Sequence, residues 1–217
     1  MTDLITVYRT LFHAYGEQHW WPARTPFEMM AGAILTQNTA WGNVERAIAA
    51  FGDNLTPAFL LSCDDATLAS LIRPSGCYNQ KAKRLKTLAA WYMGYGGDIH
   101  RVRAANGEQL RAELLALNGI GHETAYSMLL YAFDKPYFVV DAYTRRLFSR
   151  LGYTLPAQYD ALRLLIEQAI PQDIALYNEF HALIVTHAKH HCKAKPACTG
   201  CPLAARCEEF LRQQSKP

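Results

Sequence analysis

Apolar residues recur along most of this chain at intervals of three and four, which is the period of an amphipathic helix. The clearest start signal is Thr25-Pro26-Phe27-Glu28, a capping box with proline at the first helical position. Thr56-Pro57 repeats the cap and the proline, and Asp65 is the expected cap of a helix that must stop before Pro74. The pattern predicts helices that begin near Pro26 and Pro57 and that cover 66–72, 81–92, 109–117, 122–133, 142–151, 159–169 and 172–190.

One short run, 137–140, has the composition of a strand. No second run is available to pair with it, and an isolated strand is not stable. We therefore predict that it is an extended lead-in to the next helix and that the fold class is all-α.

Composition sets broad limits on the chain. Half of its 217 residues are apolar, which is enough to bury the core of one large domain or of two small interlocked ones. No apolar run approaches the roughly 20 residues that a membrane span needs, and residues 1–8 lack the basic and apolar regions of a signal peptide. The net charge of +3 permits a nucleic-acid partner without arguing for one. We expect a cytoplasmic monomer that binds no membrane.

Four of the six cysteines crowd into the C-terminal tail, as Cys192-x5-Cys198-x2-Cys201-x5-Cys207. A secreted protein would spread its disulfides along the chain, so the cluster points to a metal. Both a zinc ion and a [4Fe–4S] cluster accept four thiolates, and the spacing alone leaves both open. Four reduced thiols without a metal are the remaining alternative.

A second pattern lies at 117–125, Leu-Asn-Gly-Ile-Gly-His-Glu-Thr-Ala, between two predicted helices. Gly119 and Gly121 allow a tight turn that brings bare backbone close to a ligand. The N–H groups that open the following helix favour a phosphate oxygen. An ordinary connection between two helices is the alternative for this segment taken alone.

The hairpin, the aspartate Asp141 and the cysteine tail together resemble the helix–hairpin–helix DNA glycosylase superfamily, in particular its endonuclease III-like members. The resemblance implies a two-lobed helical fold with one domain at 23–135 and a second at 1–22 plus 136–217, which ends in an iron–sulfur loop at 192–207. It also implies a structural [4Fe–4S] cluster on the four tail cysteines, although five residues separate the first two here and six in the family. The implied partner is double-stranded DNA that contains a damaged base, which would associate the protein with the nucleoid.

Asp141 is the implied catalytic residue. Its position before a predicted helix makes it an N-cap, and the helix start would keep its carboxylate ionised. Such a carboxylate can stabilise the positive charge that develops on the sugar as the base leaves. Bifunctional family members carry a lysine at the position of Glu123, where the amine forms a Schiff base. Glu123 is either a solvated helix residue or a group that lines the pocket and steers a base or water.

Three stretches resemble those of the 3-methyladenine glycosylase branch. The resemblance places Trp20, Pro22, Trp41 and Lys189 at the base pocket, whereas we predict Trp21 to be in the core. It makes residues 76–79 a plug segment that fills the gap left by a flipped base, and 37–38 a wedge segment on the other side. The residues expected to contact DNA are Gln37, Asn38, Tyr78, Asn79, Lys81, Gly119, Gly121 and Thr124.

Three functions remain open at this point. The first is a monofunctional glycosylase for alkylated purines such as 3-methyladenine, which Glu123 favours because a carboxylate cannot form an imine. The second is a bifunctional enzyme for oxidised pyrimidines, in which another amine such as Lys189 would act. The third is a non-catalytic DNA-damage-binding module, which Asp141 disfavours because a pure binder needs no carboxylate facing an anionic backbone.

Overall fold

The computed structural model describes residues 3–215, and the predicted class is confirmed, since no strand occurs within that range. Two of the helices are 17 residues long, and short 3₁₀ turns lie at Arg73–Ser75 and Ala204–Arg206. The helices are α1 Leu4–Tyr15, α2 Pro26–Leu35, α3 Trp41–Ala49, α4 Pro57–Ser62, α5 Asp65–Leu71, α6 Tyr78–Gly94, α7 Ile99–Ala104, α8 Gly107–Ala116, α9 His122–Tyr131, α10 Ala142–Arg150, α11 Tyr159–Ala169, α12 Ile174–His190 and α13 Glu208–Gln214.

The described residues pack as two compact units, one of 3–20 with 136–215 and the other of 21–135. The residues 1, 2, 216 and 217 of the expected domains lie outside the described range. Among residues 3–215 we find no helix whose length and hydropathy would let it cross a membrane.

The unit of 21–135 is built around α2. Every residue of this helix after Pro26 is buried, so it is a central helix that packs against α3, α6 and α9. At its start Thr25 caps the helix, with its hydroxyl accepting from the Glu28 N–H. The Glu28 carboxylate accepts from the backbone and side chain of Arg24, so only the first half of the predicted capping box forms.

The unit of 3–20 and 136–215 is built around α12. This helix packs against α1 and α10, and its buried face includes Tyr177, Phe180 and His181. Helix α13 packs against α10. Residues 137–140 are neither helix nor strand and have no strand partner, as predicted, and they lead into α10.

Four helix starts differ from the predictions. Helix α8 begins two residues earlier and α12 two residues later than expected, and the differences at α5 and α6 have a visible cause. Asp64, one residue before the expected cap, accepts from the Thr67 N–H and begins α5, so the prediction of Asp65 is wrong. Helix α6 begins at Tyr78 because Gly76 and Cys77 both take positive φ and form the turn before it. Helices α1, α3, α7 and α13 are additional to the predicted set.

Candidate active site

Asp141 is the N-cap of α10, as predicted. Its Oδ1 accepts from the Thr144 backbone N–H at 2.7 Å and from the Thr144 hydroxyl at 2.8 Å. Its Oδ2 lies 3.5 Å from Nε2 of His181, on the buried face of α12. Burial by itself would raise the pKa of Asp141, but the contacts with His181 and Thr144 outweigh burial and hold the pKa below its usual range. The carboxylate is therefore ionised at neutral pH.

His181 is a site residue that the sequence reasoning missed. It lies 40 residues after Asp141 in the chain and is 5% exposed, on a helix face that otherwise reads as core. A lone histidine in an apolar helical pattern carries no signal of its role. The fold supplies that role, because α10 and α12 pack together and place the imidazole beside the carboxylate.

Two of the predicted pocket residues meet in this same unit. The Lys189 ammonium lies 5.4 Å from the centroid of the Trp20 ring, within the range of a cation–π contact. Trp20 is half-buried, whereas Lys189 is exposed near the end of α12. The face of the Trp20 indole is therefore in contact with the Lys189 cation in this structure.

The other predicted pocket residues, Pro22 and Trp41, belong to the 21–135 unit. The Trp41 ring packs edge-on against Trp21 at 5.5 Å, and its indole N–H donates to Glu45. Trp21 also packs against Tyr131 and lies next to Gly32 of the central helix. Trp21 therefore packs against the central helix, but its side chain is only half-buried, so it lies at the edge of the core and not within it.

The hairpin joins α8 to α9. Gly119 has φ +82°, and a Cβ at this position would overlap the side chain of Arg84, so glycine is required there both for conformation and for space. Gly121 is the N-cap of α9, has negative φ and faces open space. Its lack of a side chain leaves the helix start accessible. Glu123 lies in the first turn of α9 and is exposed.

A hydrogen-bond network ties the wedge segment to the hairpin. The Gln37 amide donates to the Gly119 carbonyl at 3.0 Å and to the Thr124 hydroxyl at 2.9 Å, and its oxygen accepts from Arg84 at 2.6 Å. Thr124 is buried, so in this structure it supports Gln37. Asn38 is exposed and takes positive φ.

The plug segment is a turn at the surface. Gly76, Cys77 and Asn79 are exposed, and Tyr78 is half-buried. Lys81, predicted to contact DNA, is only 1% exposed. Its ammonium donates to the backbone carbonyls of Leu35 and Ser75 at 2.8 and 2.7 Å. The prediction is wrong for Lys81, because a buried ammonium with these partners cannot reach a phosphate.

The four tail cysteines line one pocket. Apolar side chains complete it, among them Leu147, Leu151, Leu203 and Phe210. Burial, together with neighbouring thiols, raises the pKa of Cys198 and Cys201. Within residues 3–215, no three or more His, Cys, Asp or Glu side chains are close enough to hold a single metal ion.

Two arginines of α10 hold the cysteine loop. Arg146 donates to the Cys192 carbonyl, and Arg150 donates to the Cys192 sulfur at 3.2 Å and to the carbonyls of Lys193 and Ala194. The thiol of Cys207 in turn donates to the Arg150 carbonyl. The helix that Asp141 begins is thus anchored to the loop at its other end.

Comparison with known proteins agrees with this geometry. A family model described as the HhH-GPD superfamily base excision DNA repair protein matches residues 31–172. A candidate DNA repair glycosylase of Methanocaldococcus jannaschii is 47% identical over 206 residues, which cover 93% of this chain and 94% of that protein.

Two solved structures are similar over most of the chain. One is a 3-methyladenine DNA glycosylase of Helicobacter pylori bound to 1,N6-ethenoadenine, at 28% identity and a TM-score of 0.75, covering 87% of this chain and 98% of that one. The other is a non-covalent endonuclease III–DNA complex, at 26% identity and a TM-score of 0.79, covering both chains completely. The fold is that of endonuclease III. The chain belongs to the HhH-GPD superfamily of base excision DNA repair proteins, and it is a DNA glycosylase.

Proposed function

We propose that this glycosylase is monofunctional and that it hydrolyses the bond between deoxyribose and an alkylated purine such as 3-methyladenine in double-stranded DNA. The observation that carries the proposal is the pair of carboxylates at the two positions where the family places its reactive groups. Asp141 is ionised and buried, and Glu123 stands where bifunctional members carry a lysine. No amine is therefore available at the hairpin position to attack the sugar.

The reaction follows from these groups. As the N-glycosidic bond breaks, its electron pair leaves with the base and positive charge develops on the sugar. The Asp141 carboxylate would stabilise that charge and orient the water that attacks C1′. An alkylated purine already carries positive charge and leaves readily, so little acid catalysis is required.

The proposed pocket uses Trp20 and Lys189. In this structure the Trp20 ring holds the Lys189 ammonium, which indicates an electron-rich face suited to a cationic ring. Lys189 is exposed, so it can swing away from the indole when a base stacks there. The similarity to a glycosylase bound to 1,N6-ethenoadenine supports a purine as the occupant.

Removing the Trp20 ring tests this pocket. We expect Trp20→Ala to lower excision of cationic 3-methyladenine about tenfold more than excision of neutral hypoxanthine, because cation–π attraction contributes about 1–2 kcal/mol. Single-turnover excision rates on matched duplexes would measure this difference. Trp91→Ala, which removes an indole from the other unit, should leave the ratio unchanged. An equal loss on both bases would contradict the cationic-substrate proposal.

DNA would be held by backbone N–H groups of the protein and by the plug and wedge segments. The N–H groups at the start of α9, next to Gly121, are the proposed phosphate site, and Gly119 supplies the turn that presents them. In the proposed complex, Tyr78 and Asn79 of the plug segment enter the gap left by the flipped base. Asn38 and Gln37 approach from the wedge segment.

The tail cysteines fit a [4Fe–4S] cluster. The four sulfurs line one pocket, and four thiolates are the ligand set of such a cluster, in which each sulfur binds a different iron. A zinc ion also accepts four thiolates, so metal analysis has to separate the two. The apolar lining and the Arg150 N–H donated to the Cys192 sulfur are also suited to a buried thiolate cluster. When bound, the cluster would supply a structural cross-link of the loop.

Iron analysis tests the cofactor. Anaerobically purified protein should be yellow-brown, with about four irons per chain and broad absorbance near roughly 400 nm. Cys201→Ser should lose most of this iron, whereas Cys63→Ser, in the other unit, should retain it. Stoichiometric zinc in place of iron would exclude the cluster.

A further inference from the structure

The buried Lys81 connects the two segments that are proposed to flank the flipped base. Its ammonium donates to the Leu35 carbonyl, at the last residue of α2, and to the Ser75 carbonyl, directly before the plug segment. The wedge segment begins two residues after Leu35. One side chain therefore bonds the backbone just before both segments.

Both hydrogen bonds of the Lys81 ammonium are buried. Lys81 is 1% exposed and Ser75 is equally buried, so water does not compete for either carbonyl. The Leu35 carbonyl lies at a helix C-terminus, where the backbone has no partner of its own and the helix dipole favours a cation. Burial lowers the pKa of Lys81, and nearby Arg84 adds to this effect, but the two short bonds remain.

The plug turn relies on Gly76 and Cys77, both at positive φ, and it connects a three-residue 3₁₀ turn to α6. Because Lys81 lies in the first turn of α6, it fixes this turn to the end of α2 from within a rigid helix. The Gln37 network fixes the wedge segment to the hairpin independently.

We propose that Lys81 is a positioning residue for base flipping, which holds the plug and wedge segments at the spacing needed to enter DNA together. It acts through backbone carbonyls and touches neither the base nor a phosphate. The inference rests on the proposed DNA-contacting role of residues 37–38 and 76–79.

The test uses a duplex with 2-aminopurine next to a tetrahydrofuran abasic-site analogue, because this fluorophore brightens when its neighbours no longer stack on it. Saturating wild-type enzyme should raise the fluorescence. Lys81→Met should bind the duplex and yet reach less than about half of the wild-type plateau, since the buried carbonyls lose both bonds. Lys81→Gln, whose amide can replace part of the bonding, should give an intermediate plateau, and it carries the test if Lys81→Met does not fold.

Leu88→Ala is the matched control, since Leu88 is fully buried two turns further along α6 and contacts neither segment through a polar group. At a temperature where all variants are folded, it should reach the wild-type plateau. A wild-type plateau for both Lys81 variants, an equal loss in Leu88→Ala, or no brightening with wild-type enzyme would overturn the inference. Failure of the proposed function would appear in a separate assay, as absence of methylated-purine excision by the wild type. The order of the fluorescence plateaus among the variants does not depend on that assay.

Discussion

Asp141→Asn should lower the rate of base excision by about 10²-fold or more, which corresponds to about 2.7 kcal/mol of lost transition-state stabilisation. The substitution removes the negative charge while asparagine still caps a helix, so α10 and the fold should remain. Electrostatic loss is large here because the carboxylate is buried, and the charge it stabilises exists only in the transition state. Single-turnover excision at saturating enzyme would measure the effect, with DNA affinity measured separately.

The chain offers a matched control for this substitution. Asp173 caps α12 in the same unit, with its carboxylate accepting from the Leu176 N–H at 2.7 Å, but it is exposed. Asp173→Asn should leave the excision rate within about twofold of the wild type, since surface substitutions have small effects. Near wild-type excision by Asp141→Asn would mean that Asp141 is only a helix cap.

The lowered pKa of Asp141 also predicts how the excision rate depends on pH. Because contacts with His181 and Thr144 hold the pKa below the ordinary aspartate value of about 3.9, Asp141 stays ionised as the pH falls from about 7 to about 5. Excision by the wild type should not decline over that range through this carboxylate.

Local sequence signals predicted the helices well where they were strong. A Thr-Pro cap followed by helical apolar spacing located the starts of α2 and α4, and the Tyr159–Ala169 helix has the predicted bounds. Weak signals shifted the boundaries. Asp64 and Asp65 are equally plausible caps by type, and only the bond from Thr67 selects the first. Of the helices that were missed, α7 and α13 are short and α3 has no side-chain cap, whereas α1 has both a cap at Asp3 and apolar residues at helical spacing.

For the site, the sequence predicted which types of residue take part but not whether their side chains are exposed. Lys81, Lys83 and Arg84 appear as one basic surface from their charges, yet Lys81 is buried and Arg84 bonds Gln37. Which of these basic side chains is buried depends on the residues that pack against α6, and that is tertiary information. His181 illustrates the same limit, because its role depends on the packing of α10 against α12. Gly119 was predictable, since its need for positive φ is a local property.

The proposed monofunctional chemistry predicts that base release leaves an intact abasic site. With Glu123 at the hairpin position, the abasic strand should break only after alkali or a separate abasic-site nuclease is added. Borohydride should trap essentially no covalent enzyme–DNA adduct, because trapping requires an imine between an amine and C1′. Gel analysis of end-labelled lesion duplexes, with and without alkali and borohydride, would measure both results.

Lys189 is the residue whose amine would contradict the monofunctional prediction by forming a covalent adduct. Its side chain lies against Trp20 in the proposed pocket, and a primary amine there is the alternative nucleophile for C1′. A strong borohydride adduct in the wild type that disappears in Lys189→Ala would therefore establish a bifunctional enzyme. Lys193→Ala, which removes an exposed lysine four residues later, controls for non-specific trapping by surface amines. If no adduct forms, Glu123→Lys should introduce weak lyase activity and a trappable adduct, because it restores an amine at the hairpin position where bifunctional family members carry their lysine.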